Sequence, residues 1–293
     1  MAALGDVMAA LGLSPPIDRL RRRFAHAPWT ALLEAAARAG YLARGVVYLS
    51  IGAIALLAAL DLWPRAEGAI GAMEAWGRWP AGLALLWLVG LGLYGFAGWR
   101  ALQSLFDADR LGASPRALAC RAGQAISGVT YAGLAVAVFG LIDAIADLGE
   151  ADDQAATREA VAKALELPLG GLLVISVGLF VLGAGVGSFI RAFADHFGRG
   201  LDCERETRSW LGGLARFGYA ARGVALAPVG VLLASAGFTA RASDAKGLEG
   251  ALNLLGRGPF GESVLALTAL GLLAFGAFAI VEGWLRRMRV PQP

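Results

Sequence analysis

Seven arginines recur at matching places in this chain, and a guanidinium is well shaped to hold an anion. Arg38, Arg121 and Arg216 open three copies of one short pattern. Arg44 and Arg222 follow the first and third by six residues, and Arg100 and Arg191 stand at the exits of two apolar runs. A guanidinium stays charged and presents a planar fork of donors, so it pairs bidentately with phosphate or carboxylate. Two roles suit the set. The arginines snorkel to membrane-lipid phosphates and fix the chain's orientation, or they form a cytoplasmic ring of positive charge that binds anionic headgroups or an anionic solute. Glu282 falls near the end of the last apolar run, roughly where the repeat places Arg100 and Arg191. It is expected either to pair with an arginine and lock the third unit to the first, or to mark a boundary.

Signatures of other chemistry are missing. The sequence has no Walker A loop, no Gly-x-Ser-x-Gly elbow, no His-Glu-x-x-His and no pair of Cys-x-x-Cys. His26 and His196 lie outside the apolar runs, which leaves a haem without a ligand in the membrane. Cys120 and Cys203 lack metal-site spacing and are expected as free thiols on the cytoplasmic side. The expectation is no cofactor, no metal and no enzyme. The glycine clusters Gly90-Leu-Gly92 and Gly183-Ala-Gly185-Val-Gly187 suit helix packing better than nucleotide binding. The net charge of +3 and pI near 9.1 reflect loop arginines, not a nucleic-acid partner.

Helices in lipid must position these residues. Of the 293 residues, 57% are hydrophobic and 17% charged, and the mean hydropathy is +0.61. A soluble domain carries about 25% charged residues. Six runs are nearly free of charge: Gly45–Leu60, Ala81–Trp99, Ala122–Ile142, Leu167–Ile190, Gly223–Ala240 and Ser263–Val281. Each approaches the length a helix needs to cross ~30 Å of hydrocarbon, and is about twice as long as a barrel strand. Forty-one glycines allow close helix approach.

Orientation follows from the basic residues. Nineteen lysines and arginines fall in the N-terminal segment, the second-to-third and fourth-to-fifth connections and the tail, against seven in the other connections. The positive-inside rule makes the richer side cytoplasmic, with both termini there, as for a multi-pass protein of the bacterial inner membrane. The first 35 residues do not read as a cleavable signal, and residues 17–37 read as a basic helix lying on the inner leaflet, the alternative being a disordered cytoplasmic arm. Trp63, Trp76 and Trp79 suit an outer aromatic belt, and Trp99, Trp210 and Trp284 an inner one. The acidic connection from Asp143 to Glu166 reads as a solvated external loop.

The chain repeats itself three times. Arg38-x-Gly40-Tyr41-x-x-Arg44-Gly45 returns as Arg121-x-Gly123-Gln124-x-x-Ser127-Gly128 and as Arg216-x-Gly218-Tyr219-x-x-Arg222-Gly223. A second block, Gly71 to Pro80-x-Gly82, returns as Glu159 to Pro168-x-Gly170 and as Gly250 to Pro259-x-Gly261. After a segment at 1–35, the units are 36–112, 113–200 and 201–293. Each reads as basic entry, span, short external amphipathic helix and proline-started span. All enter from the same side, so the expected fold is an all-α polytopic bundle of three parallel two-helix repeats about a pseudo-threefold axis.

The triplicated entry and the Gly-Ala…Pro-x-Gly linker resemble the bacterial membrane family catalogued as domain of unknown function number 1206. Tyr94 to Arg100 and Phe106-Asp107-Ala108-Asp109-Arg110 are similar to that family's exit from its first unit. The resemblance covers roughly Ala36 to the C-terminus and implies a fold and a location, with no established activity. Gln124 and Ser127 depart from the pattern in the middle unit, and Pro228 falls inside the fifth span.

Spans so poor in ionisable groups suggest a structural or accessory subunit, a lipid-interacting component, or part of a larger membrane complex. The alternative is a small-solute or ion transporter with a cytoplasmic arginine cluster, for which Pro228 would supply a helix break and Ser176 and Thr130 the midplane polar groups.

Overall fold

The computed structural model describes residues 29–77, 81–107, 112, 114–146, 153–193, 205–258 and 260–285. They form α1 (Trp29–Ala59), α2 (Ala69–Gly77), α3 (Gly82–Phe106), α4 (Pro115–Ala146), α5 (Asp153–Leu165), α6 (Gly170–Phe193), α7 (Arg205–Thr239), α8 (Leu248–Gly256) and α9 (Gly261–Leu285), with one 3-10 turn at Ala242–Asp244. Six helices hold a stretch long and apolar enough to cross a membrane: Glu34–Ala59, Gly82–Phe106, Ala117–Ile142, Gly170–Phe193, Ser209–Thr239 and Gly261–Leu285. The short helices α2, α5 and α8 join the two spans of each unit, so the threefold repeat is present in the architecture.

The odd-numbered spans begin earlier than their apolar runs. The triplicated arginine pattern lies within α1, α4 and α7, not in loops ahead of them. Residues Trp29 to Ala37 likewise continue α1 and form no separate interfacial helix. The rest of that expected helix, together with His26, His196, Cys203 and the basic tail, lies outside the described residues. Trp99 is also displaced from expectation: it is 3% exposed in the bundle and belongs to no interfacial belt.

The Pro-x-Gly block has a local cause. Leu169 and Phe260 adopt left-handed backbone, with φ of 63° and 60°. Each turns the chain out of the short helix and into the next span. A Cβ on Gly170 would strike the carbonyl of Ala164, and one on Gly261 the carbonyl of Gly256. Glycine is required where the span's start abuts the linker helix's end.

The spans form an interrupted ring. α1 packs between α3 and α9, α9 between α1 and α7, α7 between α9 and α6, and α3 between α1 and α4. α4 and α6, the two spans of the middle unit, do not form a packed pair. Where helices do meet, small residues set the distance. Gly178 lies against the backbone of Ala234, and Gly276 against Gly45 and Leu49. Lipid is as apolar as a leucine side chain, so such backbone contact, and not apolar burial, holds spans together. Large apolar side chains point outward, among them Leu172, Leu179 and Val186 on α6.

Away from the arginine-rich ends, α5 touches both α2 and α8. Asn253 spans from the third unit to the first. Its Oδ1 accepts from the Ala66 amide at 3.1 Å, and its Nδ2 donates to the Ala66 carbonyl at 3.0 Å. Arg65 lies 3.7 Å from Glu249 beside a cavity of about 410 Å³.

Candidate functional site: an arginine and aromatic core

Six of the seven arginines separate into two groups with different employment. Arg38 on α1 donates through Nη1 to the carbonyls of Gly283 at 3.1 Å and Trp284 at 2.7 Å, and it pairs with Glu34 at 2.7 Å. Arg121 on α4 donates to the carbonyls of Ser104 at 2.8 Å and Leu105 at 3.2 Å. Counted from each Pro-x-Gly, Ser104 and Leu105 match Gly283 and Trp284. Both arginines therefore cap the last turn of the preceding unit's second span, where carbonyls lack helical partners and the helix dipole is negative. By the same register Arg216, which is exposed, stands to Ala192 and Phe193 on α6 as Arg38 stands to Gly283 and Trp284.

The second group converges inside the bundle. Arg44 is 5% exposed near the middle of its span. Its guanidinium carbon lies 4.7 Å from the ring centre of Phe275, 5.5 Å from Phe96 and 5.9 Å from Tyr41. Among the described residues its Nε finds no hydrogen-bond partner. Arg222, also near mid-span, lies 5.3 Å from Phe275, and Arg100 4.9 Å from Phe96. Cation–π contacts of this kind soften the burial of a guanidinium without neutralising it.

Polar side chains surround the three cations. Arg222 donates from Nε to the Tyr48 hydroxyl at 3.1 Å and from Nη1 to Ser188 Oγ at 2.8 Å. The Ser188 hydroxyl in turn donates to the Ala184 carbonyl at 2.7 Å. Tyr131 lies near Tyr48 and packs edge-on to Phe96 at 4.8 Å. Arg100 donates to Gln103 Oε1 at 3.0 Å. Glu282 lies close enough to act on the charge of Arg44. Every one of the six spans thus contributes a side chain. Arg222 and Tyr48 are half-buried.

The register also redistributes the span exits. Glu282 matches Arg191 and Gln103, each 21 residues beyond its Pro-x-Gly glycine, whereas Arg100 lies one turn earlier and matches Ser188 and Ala279. Arg100 and Arg191 are therefore not equivalent. Arg191 is exposed and rests 5.7 Å from the Tyr219 ring.

The expected midplane polar groups do not join the core. Thr130 and Ser176 are exposed and bond back to the carbonyls of Ile126 and Leu172 on their own helices, and α7 runs unbroken through Pro228. Tyr48, Tyr131, Ser188, Phe96 and Phe275 escaped sequence reasoning. Phe96 and Phe275 carried a usable signal, since each lies 14 residues beyond the glycine of its Pro-x-Gly.

Comparison with known proteins agrees with this register. The family described as Domain of Unknown Function (DUF1206) matches residues 39–107, 122–195 and 217–286, one segment per unit. The chain is 28% identical over 264 residues to the uncharacterized protein YxxB of Bacillus subtilis (strain 168), covering 89% of this chain and 93% of that protein. No solved structure gives a significant match.

Proposed function

This six-span, three-repeat chain belongs to the Domain of Unknown Function (DUF1206) family, and from that premise we propose that it is a membrane protein that binds an anionic group in its core, through Arg44, Arg222 and Arg100. The burial of Arg44 carries this reading. A cation near mid-span, bedded on aromatic faces and with an unbonded Nε, is costly unless an anion meets it. Two further guanidiniums beside it add to the cost, and Glu282 is a single acid against three cations. A phosphate or carboxylate seated against the three would accept the charge-assisted bonds they offer.

The role read from the three guanidiniums is binding, since what they offer is charge-assisted hydrogen bonds to an anion. The arginine-rich ends face the cytoplasm by the positive-inside rule, and the short linker helices face outward. A purely structural role draws support only from broad apolar outer faces, and lipid covers those equally well.

Thermal unfolding of the purified chain in zwitterionic detergent tests the reading. Inorganic phosphate should raise the melting midpoint in a saturable way, and Arg44→Gln should abolish the rise while itself remaining folded. A ligand at 100 times its Kd stabilises by about 2.7 kcal/mol, enough to be seen. Equal midpoints with and without phosphate or carboxylates would count against an anion site.

A further inference from the structure

We propose that the core's anion is the phosphate of a phospholipid that enters sideways through the seam between α4 and α6. This rests on the anion-binding reading above.

The middle unit departs from the other two in several coordinated ways. In the first unit Gly92 on α3 lies against Ala39 and Ala43 on α1, and in the third Gly271 on α9 lies against Ala221 on α7. These contacts close each unit's pair of spans. The matching residues in the middle unit are Phe180 for the glycine and Ile126 for the alanine. Bulk replaces smallness on both helices, and these are the two spans of one unit that do not pack together.

The same unit has lost its plug. Arg44 over Phe96 and Arg222 over Phe275 fill the space between the paired spans of the first and third units. In register with them stand Ser127 and Ala184. Arginine and phenylalanine are thus lost together, and the glycine that would seat the ring is left idle. Gly40 lies against Phe96 and Gly218 against Phe275, whereas a Cβ on Gly123 would meet nothing within 4 Å. Open space also faces Gly183 and Gly187 on α6 and Gly133 on α4.

The seam lies level with the cations. Ser127 is one turn from Tyr131, which touches Phe96, and Ala184 is one turn from Ser188, which binds Arg222. An apolar-walled opening in the membrane, leading to a positive core, fits a molecule with an anionic head and acyl chains. A free solute would have to cross hydrocarbon to use the same door.

Native mass spectrometry of the full chain from mixed micelles tests the entry route. Phosphatidylglycerol should be retained at least tenfold better than phosphatidylcholine. Ala184→Phe restores the ring present in the other units and should cut that retention at least tenfold, while stabilisation by inorganic phosphate persists. Should that variant fail to fold, Ser127→Phe blocks the seam from α4 and carries the same expectation. Undiminished phosphatidylglycerol retention in the seam variants would overturn lateral entry. Phosphate stabilisation of the wild-type chain with no phosphatidylglycerol retained would also overturn it, and would leave the anion site standing for a soluble ligand. Binding of neither would overturn both readings.

Discussion

Arg38 donates to the backbone carbonyl of Trp284 at 2.7 Å, across 246 positions of the chain. The bond joins the first span to the end of the last, and its counterpart from Arg121 joins the second unit to the first. In the first two copies of the triplicated pattern the leading arginine is a fastener between units, engaged with peptide oxygen.

Replacing Arg38 with glutamine should therefore lower stability and spare ligand binding. Loss of charge-assisted bonds to helix-end carbonyls costs about 2 kcal/mol. The melting midpoint should fall, while the upward shift given by phosphate stays the same size. A variant that melts like the wild type would remove the fastening role.

Glycines on the packed and open sides of the ring should respond oppositely to alanine. A methyl on Gly178 drives into the backbone of Ala234, so Gly178→Ala should cost about 1–3 kcal/mol by forcing α6 from α7. Gly133 faces open space, and Gly133→Ala should be neutral or stabilise by about 0.5–1 kcal/mol through reduced backbone entropy. Thermal unfolding of the two variants side by side decides this.

Asn253→Leu should loosen the linker-helix face. It strands the amide and carbonyl of Ala66, each bonded by the asparagine side chain. An unsatisfied buried peptide group costs about 1–3 kcal/mol. Hydrogen exchange should rise at Ala66 and its neighbours, with exchange in the middle of α1 unchanged; uniform protection across both would contradict the staple.

Cys120 reports orientation. It is free and exposed near the start of α4, on the arginine-rich side. In a Cys203→Ser background, a membrane-impermeant maleimide should leave Cys120 unlabelled in intact cells and label it in inverted vesicles. The reverse pattern would turn the topology over.

The six spans and the threefold repeat were legible because apolar length and repeated punctuation survive in one dimension. Where the odd spans begin was not. Arg38 and Arg44 look like boundary charges, yet one is spent on carbonyls and the other lies on aromatic faces, so the helix continues through both. Counting from the ends of apolar runs matched Arg100 with Arg191, and counting from Pro-x-Gly corrects that by one turn. Tyr48 and Tyr131 gave no warning, because a tyrosine in an apolar run looks like lipid-facing bulk until Arg222 is placed beside one of them. The open seam could be seen only after Gly92 and Gly271 were known to touch the opposite helix.

The seating of α9 against α1 bears on how the polypeptide matures. α1 is the earliest of these spans to be made, and the surface around Gly45 that receives Gly276 stays bare until the last span has been synthesised. A nascent chain halted before Gly261 would thus present a ready-made groove to any other helix nearby in the bilayer. Prematurely ended copies would be drawn into mispairing with their neighbours.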